Sequence, residues 1–306
     1  MMLEQSMLLR NLEVPAQPFD CVLDTDTYNE IDDQFALSFM MKHDRFQVKA
    51  IYAAPFFNTR STSPKDGMER SYDEILRLLN LMDRSDMVKA VFKGSENYLK
   101  DEKTPVESAA ARHLVELSRA YSPEHPLYVV SIGAHTNIAS ALLMDPSMNE
   151  RIVLVLLSGH DIHWPDTNEF NMAQDIAASR ILFDSGSPLI QLPCMGVVSA
   201  FYTTGPELEH WLKGKNPLCD YLVEQTVHEA EKYAKDRVWS RVIWDVTAAA
   251  WLINDGDRFM HTVIDHTPII TYDKTYAFDD KRPLYRRATY IKRDALFEEL
   301  FRTLSR

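Results

Sequence analysis

Residues 127–132 (Leu-Tyr-Val-Val-Ser-Ile) and 152–157 (Ile-Val-Leu-Val-Leu-Leu) are almost continuously apolar and rich in Val and Ile. A strand with no polar face must be covered on both sides, as in the middle of a parallel sheet flanked by helices. Strand-like and helix-like segments alternate around these two runs. Further strands are expected at 19–23, 48–53, 88–92 and 189–192, and helices at 32–42, 68–82, 105–119, 137–144 and 173–183. In the 68–82 segment, Ile75, Leu76, Leu78, Leu79 and Met82 keep the three-and-four spacing of a core-facing helix. The alternation predicts an α/β fold, with a mainly parallel, open, Rossmann-like sheet and helices on both faces, in a single domain over residues 1–306. Residues 1–17 read as an amphipathic lead-in whose Met7, Leu8, Leu9 and Leu12 pack on the domain. Beyond Gly205 the pattern changes to helices at 206–235 and 245–253, a small antiparallel hairpin over 267–291 with Asp279 and Asp280 near its turn, and a closing helix at 293–304. Two long loops, 59–67 and 159–167, are candidates for covering a substrate.

The first strand runs directly into Asp24-Thr25-Asp26-Thr27-Tyr28-Asn29-Glu30-Ile31-Asp32-Asp33, four aspartates and a glutamate within ten residues. Strand, acidic loop and helix is the layout of an α/β active-site edge, because ligands sit beyond the carboxyl ends of parallel strands. Carboxylates this dense repel one another unless a hard cation or protons offset the charge. Helix capping by Asp32, with Asp33 favoured by the helix dipole, accounts for only two of the five acids.

The formal net charge of −12 argues against sequence-independent nucleic-acid binding, which needs a basic face. Apolar residues make up 45% and charged residues 25%, an ordinary globular profile, and no apolar run approaches membrane-spanning length. Cys21, Cys194 and Cys219 lack metal spacing and cannot all pair, which fits a reducing cytoplasm. The first residues lack the basic start and apolar core of a signal peptide.

Four other strand ends carry unusual polar groups. Asn58 follows the second strand; taken alone it reads as a turn residue. Ser131 to Ala139 turns from strand to helix through Gly133, where a backbone carbonyl can face the acids, although Thr136 or Asn137 as a helix cap explains the same residues. Asn168, Glu169 and Asn171, with Trp164 and Phe170 among them, carry the donors and acceptors needed to grip vicinal sugar hydroxyls. Asp245 opens a late apolar helix, with Trp239, Arg241 and Trp244 at its entrance.

Together these landmarks resemble the nucleoside hydrolase family, the inosine-uridine-preferring nucleoside N-ribohydrolases. The resemblance rests on Asp24, Asp26, Asp32 and Asp33 after the first strand, Thr136-Asn137-Ile138-Ala139, Glu169-Phe170-Asn171, and Asp245, in that order. It implies a Ca²⁺ ion held by Asp26, Asp33, the backbone carbonyl of Thr136 and Asp245, an all-oxygen set of the kind calcium prefers. It also implies a water activated by that ion and deprotonated by Asp26, which attacks the anomeric carbon of a small-molecule nucleoside. Asp32 and Asn171, joined by Asn58 and Asn168, would hold the ribose hydroxyls with Glu169 beside them, and Asp24 would orient the loop. Relatives suggest a homodimer or homotetramer, acting in purine or pyrimidine salvage.

This chain departs from the family pattern on the side of the departing base. The loop 27–31 is two residues longer than usual, with Asn29 and Glu30 added. Trp244 stands immediately before Asp245, where many members carry a histidine, and His163 stands where many have asparagine. The early histidine-glycine segment is not recognisable. Base-side candidates are stacking on Trp244 or Trp164, and protonation by His163, His160 or His135. Two other readings compete. Residues 22–27 also fit the first motif of a Mg²⁺-dependent haloacid-dehalogenase-like phosphatase, with Ser131 as its second motif, but Asp32, Asp33 and the Glu-Phe-Asn triplet have no role there. The chain could also be a nucleoside- or ribose-binding homologue without turnover, a reading that Asp26 argues against because binding alone needs no base.

Overall fold

In the computed structural model, residues 3–16 and 18–306 are described; Met1, Met2 and Gln17 of the expected lead-in lie outside them. The lead-in forms helix α1 (Gln5–Asn11), and of its apolar side chains Leu8 and Leu12 are buried.

Six parallel strands follow: β1 (Phe19–Thr25), β2 (Phe46–Ala53), β3 (Val91–Lys93), β4 (Leu127–Ser131), β5 (Ile152–Leu157) and β6 (Leu189–Leu192). They stand in the order β3-β2-β1-β4-β5-β6, and the sheet is completed by Leu284–Ile291, parallel to β6, and Met260–His266, antiparallel at the edge. The two apolar runs are the central strands β4 and β5. Their side chains alternate between two cores, as period-two geometry requires. Val130, Val153, Val155 and Leu157 enter one, while Val129, Ile152, Leu154 and Leu156 enter the other. Helices α2 (Asp32–Lys42) and α3 (Pro64–Leu81) cover the first face. Helices α4 (Ala109–Ser118), α5 (Thr136–Met144) and α7 (Ile176–Asp184) cover the second. The expected α/β fold with helices on both faces is therefore the one observed.

The chain leaves β1 toward β2 and β3 on one side and returns at β4 on the other. The crevice between the carboxyl ends of β1 and β4 is thus the topological switch point of the sheet, where open α/β folds bind ligands. The acidic loop opens directly onto it.

Several boundaries differ from expectation, each for a local reason. The helix expected at 105–119 begins only at Ala109, where the Ser108 hydroxyl accepts the Ala111 N–H at 3.1 Å. The strand expected at 88–92 is Val91–Lys93, because Ser85–Ala90 coils into a 3₁₀ turn. Loop 59–67 gives its last residues to α3, which Ser63 caps and Pro64 opens. The helix expected at 173–183 is two, α6 (Phe170–Gln174) and α7, broken at Asp175 (φ −137°, ψ 80°). Asp175 is fully engaged there, accepting the Ala178 and Leu99 N–H groups and the Thr136 hydroxyl.

Beyond Gly205 come α8 (Gly205–Leu212), α9 (Pro217–Ala234), α10 (Val246–Trp251) and α11 (Arg293–Leu304). The single hairpin expected over 267–291 is instead a small one, Ile269–Ile270 with Tyr276–Ala277, followed by Leu284–Ile291, which joins the main sheet. Apolar alternation along 284–291 marks a strand but carries no record of its partner. No described helix is long and apolar enough to cross a membrane.

Candidate active site

Helix α2 is buried along nearly its whole length, packed against α3, α10 and α11. Its first turn therefore holds Asp32 and Asp33 inside the protein. Neither this helix nor α10 uses its acid as a cap. The position before α2 is Ile31, and Asp245, at the start of α10, makes no side-chain cap bond. The capping explanation offered for Asp32 thus fails, and neither carboxylate is spent on a helix end.

Carboxylate oxygens of Asp32, Asp33 and Asp245 lie within 4.8 Å of one another, all buried. Asp33 accepts the Thr25 hydroxyl at 2.5 Å. Asp26 is fully buried at the end of β1, and neither of its carboxylate oxygens has a hydrogen-bond partner; Asp32 Oδ1 has none either. A buried carboxylate without donors is costly. Burial, then repulsion from neighbouring aspartates, pushes Asp26, Asp33 and Asp245 well above the usual carboxylate range, and burial with Glu30 nearby pushes Asp32 up to about 7. Orphaned oxygens, mutual repulsion and an all-oxygen donor set fit a hard divalent cation.

These acids form one wall of a cavity of about 200 Å³. The β4–α5 turn approaches closely because residue 133 is glycine: a Cβ there would lie 2.9 Å from Ala54 Cβ and 3.2 Å from Asp26 Cγ. Ile132 lines the cavity, and its carbonyl accepts Asn171 Nδ2 at 2.9 Å. Thr136 does not line it; its hydroxyl is spent on Asp175 at 2.7 Å and it begins α5. At this turn it is Ile132, not Thr136, that lines the cavity.

Of the expected sugar-side residues, Asp32, Asn168, Glu169 and Asn171 all line the cavity. Glu169 accepts three backbone N–H groups, from Gly159, Asn171 and Met172, and burial raises it to about 7. It shapes the turn into α6, and Gly159 meets it with a positive φ of 67°. Asn168 accepts Lys274 Nζ at 2.8 Å at the rim. Asn58 lies outside the lining; it donates from Nδ2 to Asn29 Oδ1 at 2.6 Å, and Asn29 lines the cavity.

On the base side, Trp244 lines the cavity whereas Trp164 and His163 do not; both of those are exposed. Of the three candidate histidines only His160 lines it. His135 is buried between Ser131 Oγ (2.9 Å) and Ser158 Oγ (2.8 Å), and burial lowers it to about 3. Ser131 also donates to Asp24 Oδ2, and Asn137 Nδ2 donates to Asp24 Oδ1 at 2.8 Å, so Asp24 sits behind the loop in a saturated buried network. Cys194 and Met195 complete the lining without having been singled out from the sequence. They follow β6, so the strand-end rule that led to Asn58 also pointed to them, but a cysteine and a methionine carry no polar signature.

A strand-end cavity of this construction, with acids placed to hold a cation beside amide and aromatic side chains, suits a metal-assisted hydrolase of sugar derivatives. A family model described as inosine-uridine preferring nucleoside hydrolase matches residues 21–298, and the chain belongs to that family. It is 26% identical over 246 residues to the pyrimidine-specific ribonucleoside hydrolase RihA of Salmonella paratyphi A, covering 72% of this chain and 76% of that protein. Two solved structures share the fold at a TM-score of 0.74 and 19% identity. One is the plant nucleoside hydrolase PpNRh1, with 94% of this chain and 99% of that chain covered. The other is a purine-preferring ribonucleoside hydrolase from Gardnerella vaginalis, with 94% and 98% covered. The chain is thus an N-ribohydrolase by family, and the phosphatase reading of residues 22–27 is set aside.

Proposed function

We propose that this protein hydrolyses the N-glycosidic bond of a ribonucleoside or related N-riboside to ribose and free base, with calcium bound at the acidic cluster and Asp26 as general base. The observation that carries this reading is Asp26 itself, a fully buried carboxylate at the sheet's switch point with both oxygens unpartnered. Asp26, Asp33, Asp245 and the Ile132 carbonyl would hold the ion, the last in place of Thr136. Asp32 also belongs by geometry to the cluster and bridges it to the sugar. When bound, calcium supplies the charge that lowers the pKa of a water at this position.

Asp26 takes the proton from the attacking water, and its isolation from other donors keeps its oxygens free to do so. Asp32 and Asn171 orient the ribose hydroxyls, Asn168 stands at the rim, and Asn58 acts through Asn29. The positive charge that develops on the sugar is met by the surrounding carboxylates. The relatives' names give opposite base preferences, pyrimidine-specific and purine-preferring, so the base is read from this chain's own cavity. A homodimer or homotetramer in a reducing cytoplasm belongs to the same reading, as does one domain over residues 1–306.

Bound metal and glycosidic cleavage over a nucleoside panel, wild type against Asp26→Asn, test the assignment. Calcium in the wild type and a fall in cleavage of at least about 10²-fold in the variant are expected. Metal-free wild-type protein that cleaves no riboside would overturn it and leave a binding homologue without turnover.

A further inference from the structure

Breaking a glycosidic bond to a neutral base leaves negative charge on the departing nitrogen, so an acid that donates a proton to it speeds the step. The cavity offers no free acid for that task. Each lining carboxyl already has a partner or a role: Asp26, Asp33 and Asp245 are assigned above to the cation and Asp32 to the sugar, Glu169 takes three backbone N–H groups, and Glu30 is paired with Arg241. His160 Nδ1 accepts the Met195 N–H at 3.2 Å, and burial lowers its pKa against a smaller opposing effect of Asp166. The Cys194 thiol is pushed well above its ordinary value by burial and the neighbouring acids. Beside Asp245 stands Trp244, which has no titratable proton.

What the cavity does offer is a place for a positive charge. Six carboxyl groups line it, and among the described residues no lysine or arginine does. A divalent cation offsets only part of that charge, and Arg241 pairs with Glu30 from outside the lining. Two aromatic rings, Trp244 and Phe170, stand next in sequence to Asp245 of the cation site and Asn171 of the sugar side, and line the same space. Aromatic faces among carboxylates favour a flat cation over a flat neutral ring.

We propose that the preferred substrates are cationic N-ribosides, in which the ring attached to the sugar already carries a positive charge, and that Trp244 and Phe170 receive that ring. This rests on the glycosidic reading above. In such a substrate the C1′–N bond breaks with its electron pair passing to the ring, which cancels the ring's charge and releases a neutral base. The water oxygen bonds to C1′, and the proton it loses passes to Asp26 and then to solvent. No leaving-group acid is needed, and the lack of one is a handicap only for neutral nucleosides.

The test uses the calcium-loaded, full-length protein with two matched sets. Nicotinamide riboside and 7-methylguanosine carry the charge; uridine, inosine and guanosine do not. The expected kcat/KM at neutral pH is at least about 10²-fold higher for the cationic set, the size of contribution general acid catalysis makes when present. Trp244→His, which places a titratable ring beside Asp245, is expected to raise cleavage of the neutral set and lower that of the cationic set. Trp244→Leu is expected to raise KM for the cationic set at least about tenfold more than for the neutral set. Neutral nucleosides cleaved within tenfold of the cationic ones by the wild type would overturn this proposal and leave the hydrolase assignment standing. Cleavage of no riboside in either set would overturn both.

Discussion

The Arg241 guanidinium pairs with the Glu30 carboxylate across 211 residues of chain, and the same Nη2 lies 3.8 Å from Asp32 Oδ1. One cation thereby ties the loop after β1 to the segment that leads into Asp245. Glu30 belongs to the two-residue extension noted in the sequence, so the extension is anchored rather than free.

Arg241→Ala leaves Glu30 and Asp32 without their shared cation. Because the Glu30 side chain is 46% exposed, solvent screens part of the effect, and a loss of about 1–2 kcal/mol is expected. Urea unfolding checks the value. A double-mutant cycle with Glu30→Gln is expected to show coupling, since the two side chains share one contact.

Asn58 and Asn29 separate positioning from contact. Asn58→Ala removes the donor that holds Asn29 at 2.6 Å, yet Asn58 does not line the cavity. A stability loss of about 1 kcal/mol is expected, with kcat/KM lowered about tenfold through a misplaced Asn29. Steady-state kinetics beside thermal melts distinguish this from a general loss of fold.

The acidic cluster links stability to pH. Burial raises Asp24 and Asp32 to about 7, above their ordinary carboxylate values, so the folded protein holds more protons than the unfolded chain in the interval between. Stability from these groups is fully present below the ordinary carboxylate value and is lost as pH rises through about 7. Metal-stripped protein is expected to melt lower at about pH 8 than at about pH 5.5. Added calcium should raise the melting temperature most at the higher pH, because protons compete for the same oxygens. Differential scanning calorimetry with and without calcium reads both effects.

His135 carries the opposite sign. Burial lowers it to about 3, so between there and its ordinary value the unfolded chain binds the extra proton and stability falls as pH falls. His135→Leu removes the ring partner of the Ser131 and Ser158 hydroxyls, and is expected to cost about 2 kcal/mol near neutral pH. The variant should also lose that part of the acid sensitivity, which denaturant titrations at several pH values would show.

The linear sequence carries the strand-and-helix order, the two-faced burial of 127–132 and 152–157, and the concentration of acid after β1. These are local properties, carried by apolar period and by neighbours in the chain. It also marked Asp26, Asp32, Asp33, Glu169, Asn171 and Asp245, because polar residues at strand ends are conspicuous one at a time. Which of them meet was set by the packing of the folded chain. It brought Asp245 to the aspartates of α2, put Ile132 rather than Thr136 in the cavity wall, and turned His163 outward while keeping His160 in the wall. It also made Cys194 and Met195 part of the cavity and sent Leu284–Ile291 to β6 instead of into a hairpin. The physical reason is the same each time: pairings between distant segments depend on how helices and strands pack, and a segment's own residues do not record its neighbours.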